Sequence, residues 1–201
     1  MDQETLTKGE RTQNEITEAA YQLFLEKGYH GTSMRQIGQF AGIALGGIYN
    51  HFDSKEAIFT AVILAHHPYY DVIPAMQAAQ GETVEEFVKD AANRLVSNLD
   101  ERLDFLKLMF IELVEFNGQH IPQIFETFYP DVLEFAQRFS INRNELRAIP
   151  APVLVRAFLG MFFSYFITEL LIGQFLPDEM NENTLDHFIE IYLHGVLLND
   201  D

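Results

Sequence analysis

Ile16, Ala19, Ala20, Leu23 and Phe24 recur at i, i+3, i+4, i+7 and i+8, which puts five apolar side chains on one stripe of a helix. The same period returns along the 201 residues, and nowhere does it give way to the alternation of a half-buried strand. That confines the chain to helix packed on helix, and the fold class expected is all-α with about nine helices.

The punctuation between stripes divides the chain. Gly28 stops the first helix. Thr32 and Ser33 precede Met34, and Gln36 follows Ser33 by three, the signature of a capping box opening a helix that runs to about Ala41. Gly42 supplies the positive φ of a tight turn, and a further short helix carries Ile48, Tyr49 and Phe52. Asp53 with Glu56 is a second capping-box match; it opens a helix from Lys55 to about His67 that Pro68 and Pro74 end or kink. Past the break at Gln80-Gly81-Glu82, helices are expected over 83–99, 102–117, 121–139, 151–175 and 183–198.

Two short helices joined by a turn of about three residues form a helix-turn-helix. The residues that build it here, Gly31-Thr32-Ser33-Met34-Arg35-Gln36-Ile37-Gly38, then Ala41-Gly42-Ile43, then Gly46-Gly47-Ile48-Tyr49-Asn50-His51-Phe52-Asp53-Ser54-Lys55-Glu56, resemble the DNA-binding domain of the TetR (tetracycline repressor) family. The likeness includes the helix before it, through Ala19-Ala20, Leu23-Phe24 and Gly28. It implies a three-helix DNA-binding domain over 1–53 and a larger helical ligand-binding and dimerisation domain over 54–201. The protein expected is a ligand-responsive repressor that binds a palindromic operator as a homodimer.

Site residues follow from position. The second helix of the pair reads bases in the major groove while flanking groups hold phosphates, which assigns Ala44, Leu45, Gly46 and Gly47 to the reading surface. Thr32, Ser33 and Lys55 stand at helix starts suited to a phosphate. Tyr49 and His51 resemble the family's phosphate-contacting aromatic pair, and Arg35 is placed to reach a base edge or a backbone oxygen. The chain departs from the family where Ser or Thr, then Lys, and later a hydroxyl residue are usual: Ala44, Leu45 and Gly47 remove a helix cap and a cation. Readout then rests on thymine methyls, Arg35 and DNA shape.

Charge works against this assignment. The net charge of −17 opposes nonspecific affinity for nucleic acid, although residues 1–60 hold five Lys/Arg against eight Asp/Glu and the rest hold eight against 22. The rival reading is an acidic helical protein-interaction module that has lost specific DNA binding. No catalytic motif stands out, so an enzyme is not expected, and no cofactor is called for. His66-His67 diverge on a helix and His187 and His194 lie too far apart for one ion, so no metal site is expected. With no cysteine, no leader-like apolar run at the start, and Arg156 and Glu169 interrupting the stretch Val153–Leu176, the plain reading is a cytoplasmic protein with a buried helix there and no membrane span.

Thirteen of the 18 phenylalanines lie beyond residue 100. They line a ligand pocket or fill a core, and the family likeness favours a pocket for a small apolar effector, cationic or neutral. The residues chosen are Phe105, Met109, Glu112, Phe128, Phe162, Phe166 and Glu169. Glu112 either faces solvent, pairs with an Arg, or joins Glu169 as a candidate carboxylate inside an aromatic cavity. Phe188, Ile189 and Tyr192 form a stripe that a monomer would expose, and the family likeness makes the last two long helices the dimer interface.

Overall fold

A computed structural model describes residues 6–99, 102–140, 146–177 and 182–196. Among them ten α-helices occur: α1 (Lys8–Lys27), α2 (Met34–Ala41), α3 (Leu45–Tyr49), α4 (Lys55–Ala65), α5 (Tyr69–Gln77), α6 (Val84–Leu99), α7 (Leu103–Phe116), α8 (Ile121–Ser140), α9 (Ala151–Ile172) and α10 (Thr184–Val196). A 3-10 turn, Gly173–Phe175, extends α9. The helix not foreseen is α5. Pro68 does not stop the chain there; its carbonyl accepts from the N–H groups of Asp71 and Val72 and so starts the helix, while Pro74 sits inside it.

The chain separates into two compact units, each drawn from more than one stretch of sequence. The first contains residues 1–67 and 104–124, the second 68–103 and 125–201.

In the first unit the α1 stripe of Ile16, Ala19, Ala20, Leu23 and Phe24 is buried as its spacing requires. Phe24, Phe59 and Phe116 continue it: Phe24 meets Phe59 edge-on at 5.6 Å and Phe59 stacks on Phe116 at 4.9 Å. Tyr29 closes the cluster, 4.8 Å from Phe116. The end of α7 thus completes the core that α1 and α4 begin.

In the second unit α6 packs against α5, α9 and α10, burying Phe87, Val88, Ala91, Ala92 and Leu95. Phe158 of α9 lies 4.7 Å from Phe162, 5.7 Å from Tyr192 and 5.9 Å from Phe135. The Tyr192 hydroxyl donates to the Leu154 carbonyl at 2.9 Å, and burial raises its phenol far above the ordinary range.

Two expectations for this unit are corrected. Ile189 and Tyr192 belong to its own core, at 0% and 2% exposure, and the large apolar residue that α10 turns outward is Ile191 at 61%. Nor is α9 wholly buried. Leu154, Val155, Phe158, Phe162 and Phe166 face inward, whereas Val153, Leu171 and Ile172 are about half exposed and Phe163 slightly less. This helix is long and apolar enough to cross a membrane by length and composition, a test that core helices also pass.

Candidate nucleic-acid interface

The helix-turn-helix is held by local hydrogen bonds that its sequence encodes. Gly28 caps α1 at φ 71°, and the chain turns back through residues 29–32. Ser33 then opens α2 with a reciprocal box: its hydroxyl accepts from the Gln36 N–H at 3.3 Å, and the Gln36 carboxamide oxygen accepts from the Ser33 N–H at 2.9 Å. Gly42 ends α2 in the left-handed region at φ 70°, ψ 23°, and the Ile43 N–H returns to the Gly38 carbonyl at 2.8 Å.

The approach of α3 to α2 depends on a second glycine. A Cβ on Gly38 would lie 2.8 Å from the Ile43 carbonyl oxygen and 2.9 Å from Ile48 Cδ1, so only hydrogen lets Ile48 seat fully in the core. Ile37, Ile48 and Phe52 face inward, while Arg35, Ala44, Leu45, Gly46 and Tyr49 face outward. Gly47 and His51 are half-buried. Gly46 opens onto empty space, whereas a side chain on Gly47 would begin 2.9 Å from Ile43 Cγ2.

The structure also shows what the departures from the family pattern do. Ala44 offers α3 no side-chain cap, and Leu45 lies 42% exposed at its first position. The outward face of α3 therefore carries Leu45, a bare Gly46 and the Tyr49 phenol.

Two assigned phosphate ligands are held elsewhere. The Thr32 side chain is buried, and its hydroxyl donates to the carbonyls of Gly28 at 2.9 Å and Leu23 at 3.1 Å, so it fastens the turn between α1 and α2. Lys55 donates through Nζ to the carbonyls of Tyr29 at 2.6 Å and Thr32 at 2.9 Å, with Nζ 3.9 Å from the Tyr29 ring centre. Burial pulls this ammonium below its ordinary pKa, and Glu115 opposes that. Tyr29 is raised by burial first, then by Glu56 and Glu115. Ser33, Arg35, Tyr49 and His51 remain at or near the surface. Sequence reasoning passed over Phe40, which stands 60% exposed on α2, and Tyr29, whose carbonyl and ring hold Lys55. No periodic signal marks either.

The residues chosen for an effector divide between the units. Phe105, Met109 and Glu112 belong to the first, and Phe128, Phe162, Phe166 and Glu169 to the second. Phe105 is buried 4.8 Å from the His67 ring, and Met109 is half-buried. Glu112 neither faces water nor pairs with an arginine: it is 0% exposed, and its carboxylate accepts from the His120 N–H at 2.8 Å and from His120 Nδ1 at 2.7 Å. Phe162 and Phe166 are buried, Phe128 is half-buried 5.5 Å from Tyr69, and Glu169 is half-buried beside Gly173. Among the described residues no group of three or more His, Cys, Asp or Glu is placed to hold a metal ion.

Residues 16–62 match the family model for bacterial regulatory proteins of the tetR family. The HTH-type transcriptional regulator YvkB of Bacillus subtilis is 24% identical over 190 residues, covering 92% of this chain and 97% of its own. The HTH-type transcriptional repressor BepR of Brucella suis is 26% identical over 176 residues, covering 80% and 82%. A crystal structure of a TetR-family transcriptional regulator from Mesorhizobium loti superposes with a TM-score of 0.68 at 24% identity, over 96% of this chain and all of that one. The helix-turn-helix seen residue by residue, the tetR-family model that falls on it, and regulators aligned well beyond it together support this chain as a DNA-binding transcriptional regulator of the TetR type.

Proposed function

We propose that the chain is a ligand-responsive repressor that binds a palindromic operator as a homodimer in the cytoplasm, with residues 1–53 reading DNA and 54–201 sensing and dimerising. The observation that carries the reading is the outward face of the α2–α3 pair. Arg35, Ala44, Leu45, Gly46 and Tyr49 are exposed there while Ile37 and Ile48 lock the helices from behind. Ser33, Gly47 and His51 complete the DNA surface. Thr32 and Lys55 act through the turn they fasten. The repressor sense is supported by the Brucella relative, which is a repressor.

Dimerisation is supported by the apolar surface that α9 and α10 leave uncovered, with Val153, Phe163, Leu171, Ile172 and Ile191 outward. Two readers related by a two-fold axis are what a palindrome requires. For the effector, the aromatic interior of the second unit supports a small apolar molecule, with Phe128, Phe162 and Phe166 as its contacts and Glu169 favouring a cation.

The test is selection of duplexes from a random pool by the full-length protein, followed by binding to the selected site and to its isolated half. A palindrome bound far more tightly than its half-site is expected; equal affinity removes the dimeric reader. Lipophilic cations, neutral aromatics and fatty acyl compounds are then screened for operator release. Release by cations that weakens in Glu169→Gln supports the carboxylate's role.

A further inference from the structure

Among the described residues Glu112 is the one carboxylate wholly withdrawn from water, and neither operator contact nor effector binding accounts for it. An ionised carboxylate can only accept hydrogen bonds, so the imidazole nitrogen facing it, His120 Nδ1 at 2.7 Å, carries the proton. The opposite nitrogen, Nε2, then decides the charge of the site. It faces the Gln119 carboxamide nitrogen at 3.4 Å and Glu56 Oε1 at 3.8 Å, and the same Gln119 nitrogen donates to Glu56 Oε1 at 2.7 Å. A neutral His120 accepts from Gln119 there. A protonated His120 becomes a donor, competes with Gln119 for Glu56, and stands as a cation between two carboxylates.

What this pair grips is the first turn of α4. Glu56 follows Lys55, whose Nζ holds the Tyr29 and Thr32 carbonyls, and Thr32 immediately precedes the Ser33 cap of α2. A continuous run of contacts therefore leads from α7 through His120 and Glu56 to the start of the helix-turn-helix, all within the first unit. Around it stand Glu112 of α7, Glu56 and Lys55 of α4, the Tyr29 phenol, and Glu115 of α7, which His30 Nε2 meets at 2.5 Å. Phe59 and Phe116 cover the imidazole, with ring centres 6.2 and 5.0 Å away. The three side chains grade from buried to exposed, Glu112 at 0%, His120 at 11% and Glu56 at 51%.

We propose that His120 is a positioning residue for operator binding: by taking up a proton it bridges Glu112 and Glu56, fixes the first turn of α4, and through Lys55 holds the start of α2 in the DNA-reading arrangement. This rests on operator recognition by the α2–α3 pair. Operator affinity is expected to rise as pH falls and the imidazole takes up its proton. The change expected is on the order of five- to tenfold in Kd, the size of a modest linkage between two sites.

The experiment measures Kd for the selected operator by fluorescence anisotropy from pH 5.5 to 8.5 at constant ionic strength, with the full-length protein. Glu56→Gln removes an exposed carboxylate without opening the core. Replacing both Glu112 and His120 by Gln removes the buried pair together, so that no unpaired charge is left inside. Both proteins are expected to fold, to bind the operator, and to lose the same share of the pH dependence, and adding Glu56→Gln to the double variant is expected to remove nothing more. His30→Gln, which deletes the exposed imidazole beside Glu115, keeps that share. Variants that bind and follow the wild-type profile overturn the proposal, as does loss of the profile in His30→Gln. A wild-type protein that selects no duplex at any pH counts against operator recognition itself and is separate from either result.

Discussion

The two units solve the same problem, burying apolar surface with helices, by different means. The first sets three short helices, α2 to α4, beside the longer α1 and α7 and fixes several helix ends with a specific group: the Thr7–Glu10 and Ser33–Gln36 boxes, the Ser54 hydroxyl on the Ala57 N–H, and glycines 28 and 42 at positive φ. The second, whose α6 opens with a Thr83–Glu86 box of the same kind, adds large buried rings along its longer helices, through Phe87, Phe135, Phe158, Phe162 and Tyr192. Where helices are short, caps decide where they lie. Where they are long and apolar nearly all round, packing decides only which face goes in, and the other face stays available to a second molecule.

The largest effects test whether each unit depends on its own aromatic centre. Phe59→Ala and Phe158→Ala each delete a ring at 0% exposure, and each is expected to lose about 3–5 kcal/mol in urea unfolding. A loss below about 1 kcal/mol at either position would show that its cluster is not the core described.

The next contrast separates inside from outside on α10. Ile189→Asp places a charge at a fully buried position and is expected to unfold the second unit, whereas Ile191→Asp alters an exposed one. On sedimentation the Ile191 variant is expected to remain folded and to run as a monomer. A folded dimer would move the interface off this face of α10.

A smaller effect concerns the first unit alone. Burial lowers the His67 imidazole from 6.5 to about 4, so below pH 6.5 the unfolded chain binds a proton that the folded chain does not take up until about pH 4. Stability from this residue is complete above 6.5 and declines as pH falls toward 4, by roughly 3 kcal/mol at most. His67→Gln should flatten that part of the profile in thermal melts. An unchanged slope would show that other groups carry it. Smallest of all is the missing cap of α3: Ala44→Ser is expected to add about 1 kcal/mol or less. No gain would mean that the start of α3 is already held.

The same contrast explains which features the sequence made legible. Caps and glycine turns involve residues three or four apart, so Ser33–Gln36, Gly28 and Gly42 were readable, and α6 to α10 began and ended within a few residues of expectation. Pro68 and Pro74 misled because proline marks a helix start as well as a stop. Ile189 and Tyr192 were placed outside because an apolar stripe does not say which neighbour covers it. Glu112 was unreadable for a related reason. Its partner His120 lies across a turn that Asn117 at φ 53° and Gly118 at φ 77° fold back onto α7, and helical spacing carries no trace of that return. Thr32 and Lys55 were rightly singled out as helix-start residues, yet the carbonyls that hold them are fixed only by the folded turn.

The discontinuity of the first unit has a bearing on how the protein is made. Its chain leaves at residue 67 and returns at 104, so 36 residues of the second unit are synthesised before Phe116 can reach Phe59. At roughly 5–20 residues per second, α1 to α4 emerge several seconds before α7 completes their core. During that interval Phe24 and Phe59 lack the ring that closes over them, and the helix-turn-helix is the part of the nascent chain expected to depend most on chaperone shelter. Arrest-peptide profiling of chains released at successive lengths would register this as a folding signal that appears only once residue 124 has cleared the exit tunnel.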